Sequence, residues 1–97
     1  MIVIREVQFL PRFDNDFRKL PPNIKQLTKE AIQLLVRHGQ SPFPKSLRFE
    51  KLGRHKNPNV YTIHVTPNHS HKVSFEIRGE IAVFRQVGTH KELDRNP

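Results

Sequence analysis

Cysteine is absent from this 97-residue chain. That excludes a disulfide framework and any thiolate metal site, and it fits a reducing compartment, so the cytoplasm is the expected location. No apolar run approaches the roughly 20 residues needed to cross a bilayer. Arg5 and Glu6 break the first apolar stretch, so neither a membrane span nor a signal peptide is expected. Repeats, low-complexity tracts and linkers are also missing, and the length suits one small domain covering 1–97. No glycine-rich phosphate loop and no serine-nucleophile elbow can be found. Acidic residues are scarce: 9 Asp and Glu stand against 17 Lys and Arg, a formal charge of +8. Such an excess makes a polyanion the natural partner, because Lys and Arg gain affinity by releasing phosphate counterions. A merely soluble basic surface is the other reading that composition leaves open.

What is present divides into two halves. Ile2 to Phe9 is rich in Ile and Val and reads as a strand. Pro11 suits a first helical turn, with Phe13, Phe17 and Leu20 at helical spacing and Asp14 and Asp16 near the positive end of the dipole. Leu20-Pro21-Pro22 stops that helix and Pro22 opens the next. Ile24, Leu27, Ala31, Leu34, Leu35 and His38 then form one stripe, and Gly39 is a good terminating residue. After a proline-containing loop the period changes to two. Strands are expected at Leu47–Leu52, Val60–Thr66, Lys72–Arg78 and Ile81–Val87, the last being the most apolar and expected at the centre. Arg78-Gly79-Glu80 forms a tight turn between the final pair. The order of strand, two helices and four strands predicts an α+β fold, a helical hairpin covering one face of a twisted antiparallel sheet.

Alternation then assigns the other face. If Ile63 and Val73 point at the helices, Thr62, His64, Lys72, Ser74, Glu76 and Arg78 point away, with His90 at the end of a neighbouring strand. Lys51, Arg54, His55 and Lys56 lie in or beside the loop before Val60. From Lys45 to Lys72 there are six Lys or Arg and one acidic residue, Glu50. Histidines beside fixed cations suit RNA cleavage: one imidazole removes a 2′-hydroxyl proton, another protonates the leaving 5′-oxygen, and Lys and Arg stabilise the phosphorane. An ordinary solvated polar face has the same residue types. His69-Ser70-His71, with His64 or His90, has metal-ligand spacing, but imidazoles among so much positive charge, without a nearby carboxylate, make a poor divalent-cation site, and no metal or other cofactor is expected.

Several stretches carry a resemblance: "FRKLPPNIKQLTKEAIQLL", "SLRFEKLGR", "VYTIHV", "HKVSFEI" and above all "FRQVGTHKEL". Together they resemble the RelE/ParE superfamily of bacterial type II toxins, in its histidine-using branch, over nearly the whole chain. The resemblance implies a ribosome-dependent mRNA endonuclease (mRNA interferase) that works without a metal and inhibits translation. It also implies a cognate antitoxin that wraps the toxin and can link it to operator DNA. By matching motifs, His64 and His90 take the catalytic histidine positions. Lys72 stands where relatives more often have Arg, and Arg85 where some have Arg two residues before Val-Gly. Lys51, Arg54, His55, Lys56 and Arg78 would hold RNA. The catalytic aromatic that several members place near the C-terminus has no counterpart in "LDRNP". A ParE-like inhibitor of DNA gyrase, or a degenerate toxin that only binds its antitoxin, are the alternatives on the same fold.

Overall fold

The structure is a computed structural model and describes residues 1–53, 58–95 and 97. Arg54, His55 and Lys56, expected to contact RNA, lie outside the described residues.

Strand β1 (Glu6–Phe9) leads into helix α1 (Pro11–Arg18), with Pro11 in the first turn where its missing N–H costs nothing. The Pro21-Pro22 pair separates α1 from α2 (Pro22–His38). Gly39 ends α2 in the left-handed region at φ 78°, and its N–H bonds back to the Leu35 carbonyl at 3.0 Å. The buried face of α2 is Thr28, Ala31, Ile32 and Leu35, turned slightly from the expected stripe. Thr28 tolerates burial because its hydroxyl donates to the Ile24 carbonyl at 2.8 Å. His38 faces solvent instead, with Nε2 2.8 Å from the Pro42 carbonyl oxygen.

The remaining strands are β2 (Glu50–Leu52), β3 (Val60–His64), β4 (His71–Arg78) and β5 (Ile81–Thr89), followed by a short helix α3 (His90–Arg95). They form one five-stranded sheet in the order β1-β5-β4-β3-β2. The antiparallel run β2 to β5 is as expected, whereas β1 pairs with β5 in parallel. The long connection that a parallel pair requires runs through both helices and strands β2 to β4. β5 is interior as its apolar content anticipates, although the middle position belongs to β4.

Cross-strand register sorts the side chains. Ile63 pairs with Val73, and Val73 with Val87; Tyr61 pairs with Phe75, and Phe75 with Phe84. These rows pack with Phe13, Ala31, Ile32 and Leu35 in one apolar core. Its centre is aromatic: Phe75 and Phe84 lie 5.1 Å apart between ring centroids, and Phe84 and Phe13 5.8 Å. The next rows point to the opposite side: His64–Lys72–Gly88 and Glu50–Thr62–Ser74–Gln86. Between Ser74 and Phe75 the register shifts, so that Arg85 and Gln86 occupy the space of one residue. This bulge places Arg85 beside Glu76 and keeps both Phe84 and Val87 in the core.

Candidate active site

The expected parity holds, but the polar face is not an open concavity. Thr62, His64, Lys72, Ser74 and Glu76 are all buried, with Lys72 only 2% exposed. Part of the cover is α3, a helix where the residue pattern predicts only the end of a strand. Thr89 and Glu92 start this helix as a capping box. The Glu92 N–H donates to the Thr89 hydroxyl at 3.2 Å, while Glu92 Oε1 accepts the Thr89 N–H at 3.0 Å and its hydroxyl at 2.8 Å. Those hydrogen bonds hold the Glu92 carboxyl below its usual range. The bare Cα of Gly88 admits the helix, because a Cβ there would stand 3.1 Å from Leu93 Cδ2 and 3.3 Å from Glu92 Oε1. Leu93 is buried in that contact.

His90 is therefore the first residue of a helix, with its N–H on the Ser70 carbonyl at 2.9 Å. Its imidazole lies nearly parallel to that of His64, with ring centroids 5.3 Å apart and an interplanar angle of 20°. His69, held at φ 60°, meets His64 edge-on at 4.8 Å. The two expected catalytic histidines thus come together, and His69 joins them. His71 turns to Ser70 Oγ, 2.7 Å from its Nδ1. Among the described residues no three His, Asp or Glu side chains are grouped so as to hold a metal ion.

The electrostatics of the face depend on carboxylates from distant parts of the chain. Asp94 touches two expected site residues: Oδ2 is 2.8 Å from His90 Nδ1, and Oδ1 accepts from Lys72 Nζ at 2.9 Å. Lys72 also reaches Glu50 Oε1 at 3.4 Å. Burial pushes the Asp94 carboxyl up, but Lys72 and His90 outweigh it and hold the group below its usual range. Arg85 Nη1 donates to Glu76 Oε2 at 2.7 Å, and Arg78 Nε pairs with Glu76 Oε1. Arg85 Nε and Ser74 Oγ both donate to the Pro97 carbonyl oxygen, at 3.2 and 3.3 Å.

His64 has the most perturbed environment. Burial, and then the charges of Lys72, His69, His90 and Arg48, lower its pKa to about 4. It is neutral at pH 7, and neither ring nitrogen meets a partner among the described residues. Thr62 Oγ1 and His69 Nδ1 are likewise buried without one.

Lys51 does not join the site. It pairs with Tyr61, in the row that continues to Phe75, so it stands on the helix side of the edge strand, and Glu50 occupies the polar-face position next to Thr62. Arg78 is exposed at the far end of β4. The sequence reading missed Asp94, the pairing of Glu50 and Glu76 with the site cations, and α3. Two signals were available: Thr89-His90-Lys91-Glu92 has capping-box spacing, and His90 and Asp94 are four residues apart, one helical turn.

Neither a protein-family model nor a curated protein matches this chain. Solved structures do. YafQ from E. coli strain BL21(DE3) superposes with a TM-score of 0.69 over 92% of this chain and 97% of its own, at 18% identity. A chain of the RelB–RelE antitoxin–toxin complex from Methanococcus jannaschii gives 0.69 over 93% and 99%, at 23% identity. A chain of the E. coli DinJ–YafQ toxin–antitoxin complex gives 0.71 over 94% and 98%, at 20% identity. The histidine cluster, its cations and the helix above them are therefore carried on the RelE-like fold.

Proposed function

We propose that this chain is the toxin of a toxin–antitoxin pair and cuts messenger RNA on the ribosome by metal-free acid–base chemistry. The observation that carries the reading is the convergence of His64, His90, Lys72 and Arg85 on one face of a RelE-like sheet, with the two imidazoles 5.3 Å apart. His64 is neutral and so can accept the ribose 2′-hydroxyl proton. An incoming phosphate offsets the neighbouring cations and raises the basicity of His64 when the substrate is bound. The 2′-oxygen attacks phosphorus, the bond from phosphorus to the 5′-oxygen breaks, and His90 supplies the proton to that oxygen. The products are a 2′,3′-cyclic phosphate and a 5′-hydroxyl. Water returns the proton between the histidines. Lys72 and Arg85 stabilise the charge on the phosphorane, while Arg48 adds positive charge near His64.

An antitoxin is the natural regulator. Two of the three solved structures named above are toxin–antitoxin complexes. A groove of about 720 Å³ between β1 and the two helices is lined by Val7, Phe9, Phe13, Phe17, Ile32 and Val36. Phe9 is 42% exposed there. Lys29 and Arg37 at its rim outnumber Asp14. It suits an antitoxin segment that presents apolar anchors among acidic residues.

The test is a cell-free translation reaction with a defined message, cuts being mapped by primer extension. Codon-phased cuts that need ribosomes are expected, reduced about 10²–10⁴-fold in His90→Ala with the fold retained. Intact message together with gyrase-stimulated DNA breaks would replace this reading with gyrase inhibition. Full cleavage by His90→Ala would remove His90 from the mechanism.

A further inference from the structure

The cations that this chemistry needs are already occupied by the protein's own oxygens. The carboxylate of Asp94 lies on Lys72, and the carbonyl oxygen of Pro97 accepts from Arg85 Nε and Ser74 Oγ. Lys72 is 2% exposed and Ser74 fully buried beneath this segment, so a ligand cannot reach them while it is in place. Asp94 and Pro97 present to these donors what a nucleic-acid backbone would present: anionic or strongly polar oxygens accepting from Lys, Arg and hydroxyl groups.

A second observation is independent of those contacts. Thr62 Oγ1 and both nitrogens of His64 are buried on the same face without partners among the described residues. Buried polar groups left unpaired are destabilising, because they give up water and gain no partner. The closed arrangement therefore serves the face incompletely, as expected if another occupant makes the missing hydrogen bonds.

The cover is also weakly built. Helix α3 has six residues and one buried apolar side chain, Leu93, and a helix of that length does not persist without docking. Asp94 and Glu50 are about half exposed and can exchange Lys72 for water. Glu76 is not part of the cover: it is buried on β4 and holds the Arg85 guanidinium in place whether or not Pro97 is there.

We infer that Lys72, Ser74 and Arg85 form a phosphate-binding row for single-stranded RNA, and that α3 with Pro97 is an internal stand-in which the RNA backbone displaces. The inference rests on the proposed RNA reading for its ligand, but the closure and its release can be measured without any cleavage. The probe is a single-stranded oligoribonucleotide with 2′-deoxy substitution at every position where cutting could occur. The readouts are its affinity, the rate of amine labelling at Lys72 by mass spectrometry, and amide exchange of α3, in the full chain and in Asp94→Asn.

In the unaltered protein Lys72 should label at least about tenfold more slowly than exposed Lys51. Asp94→Asn should speed labelling of Lys72 and tighten the oligonucleotide about tenfold, the direction expected when a competing carboxylate is removed. Binding should protect Lys72 again and speed exchange in α3. Adding Lys72→Met to Asp94→Asn should abolish the gain. Rapid labelling of Lys72 in the unaltered protein would overturn the closure. Unchanged or weaker oligonucleotide binding by Asp94→Asn, including no binding once Lys72 is accessible, would overturn the phosphate row. So would binding that leaves α3 protected. A protein that opens and binds as described yet leaves ribosome-bound message intact would sustain this inference and defeat the nuclease reading.

Discussion

The two faces of the sheet are both buried, but they are buried by different means. On the helix side Phe13, Phe75 and Phe84 pack with aliphatic residues from α2, β3, β4 and β5. On the other side the cover includes a six-residue helix held by one leucine, a capping box and the Asp94–Lys72 ion pair. The first kind of closure has no useful alternative in water. The second is made largely of polar contacts, which water can also supply. The difference teaches that burial alone does not identify structural residues. Lys72 and Phe75 are equally inaccessible, yet only Phe75 is held by contacts that nothing else can supply.

The strongest way to break the contrast is to empty the helix side. Phe75→Ala should cost about 3–5 kcal/mol and move the urea midpoint of the whole chain. A loss under about 1 kcal/mol would mean that the apolar core is not the main source of stability. Acid should act on the polar side instead. The folded pKa of His64 is about 4 against 6.5 for an ordinary histidine. The unfolded chain therefore binds an extra proton between those values, and stability falls as pH drops through that window. The expected loss between pH 7 and 4.5 is about 2–3 kcal/mol. His64→Gln should remove most of that slope. The carboxylates of Asp94 and Glu92, both held below their usual range, add a further loss only at lower pH. An unchanged slope in His64→Gln would assign the acid sensitivity elsewhere. The smallest effect sharpens the comparison. Thr89→Ala removes the capping hydroxyl and should weaken α3 by about 1 kcal/mol. Amide exchange should rise in α3 while the urea midpoint of the core stays put. A matching drop in the core would show that the two sides are not separable.

Much of this arrangement could be read from particular residues. Pro11, Pro22 and Gly39 mark helix ends by local backbone chemistry, so both helices were legible. Alternation through Val60–Thr66 and Lys72–Arg78 assigned His64, Lys72 and Ser74 to one face, and the register agrees. Pairing between distant segments was less accessible. Nothing local in Glu6–Phe9 distinguishes a parallel neighbour from an antiparallel one. The bulge at Arg85 and Gln86 leaves no mark in the alternation of β5 strong enough to read. Helix α3 is mostly polar and too short to show a period, so its only local sign was the Thr89–Glu92 spacing. Without that helix the carboxylate of Asp94 had no place on the face, and the site looked open and uncompensated. The meeting of Glu50 with Lys72 required the fold itself.

The parallel pairing of β1 has a consequence for the order in which the molecule is made. Glu6–Phe9 leaves the ribosome early, but its hydrogen-bonding partner is Ile81–Phe84. The first strand must wait, unpaired, through synthesis of both helices and three other strands, because long-range pairing cannot precede its partner. His64 and Lys72 likewise cannot meet His90 until β5 has been completed and α3 has turned back over it. The histidine cluster thus forms only after all five strands exist, and a copy that stops short of His90 cannot assemble it.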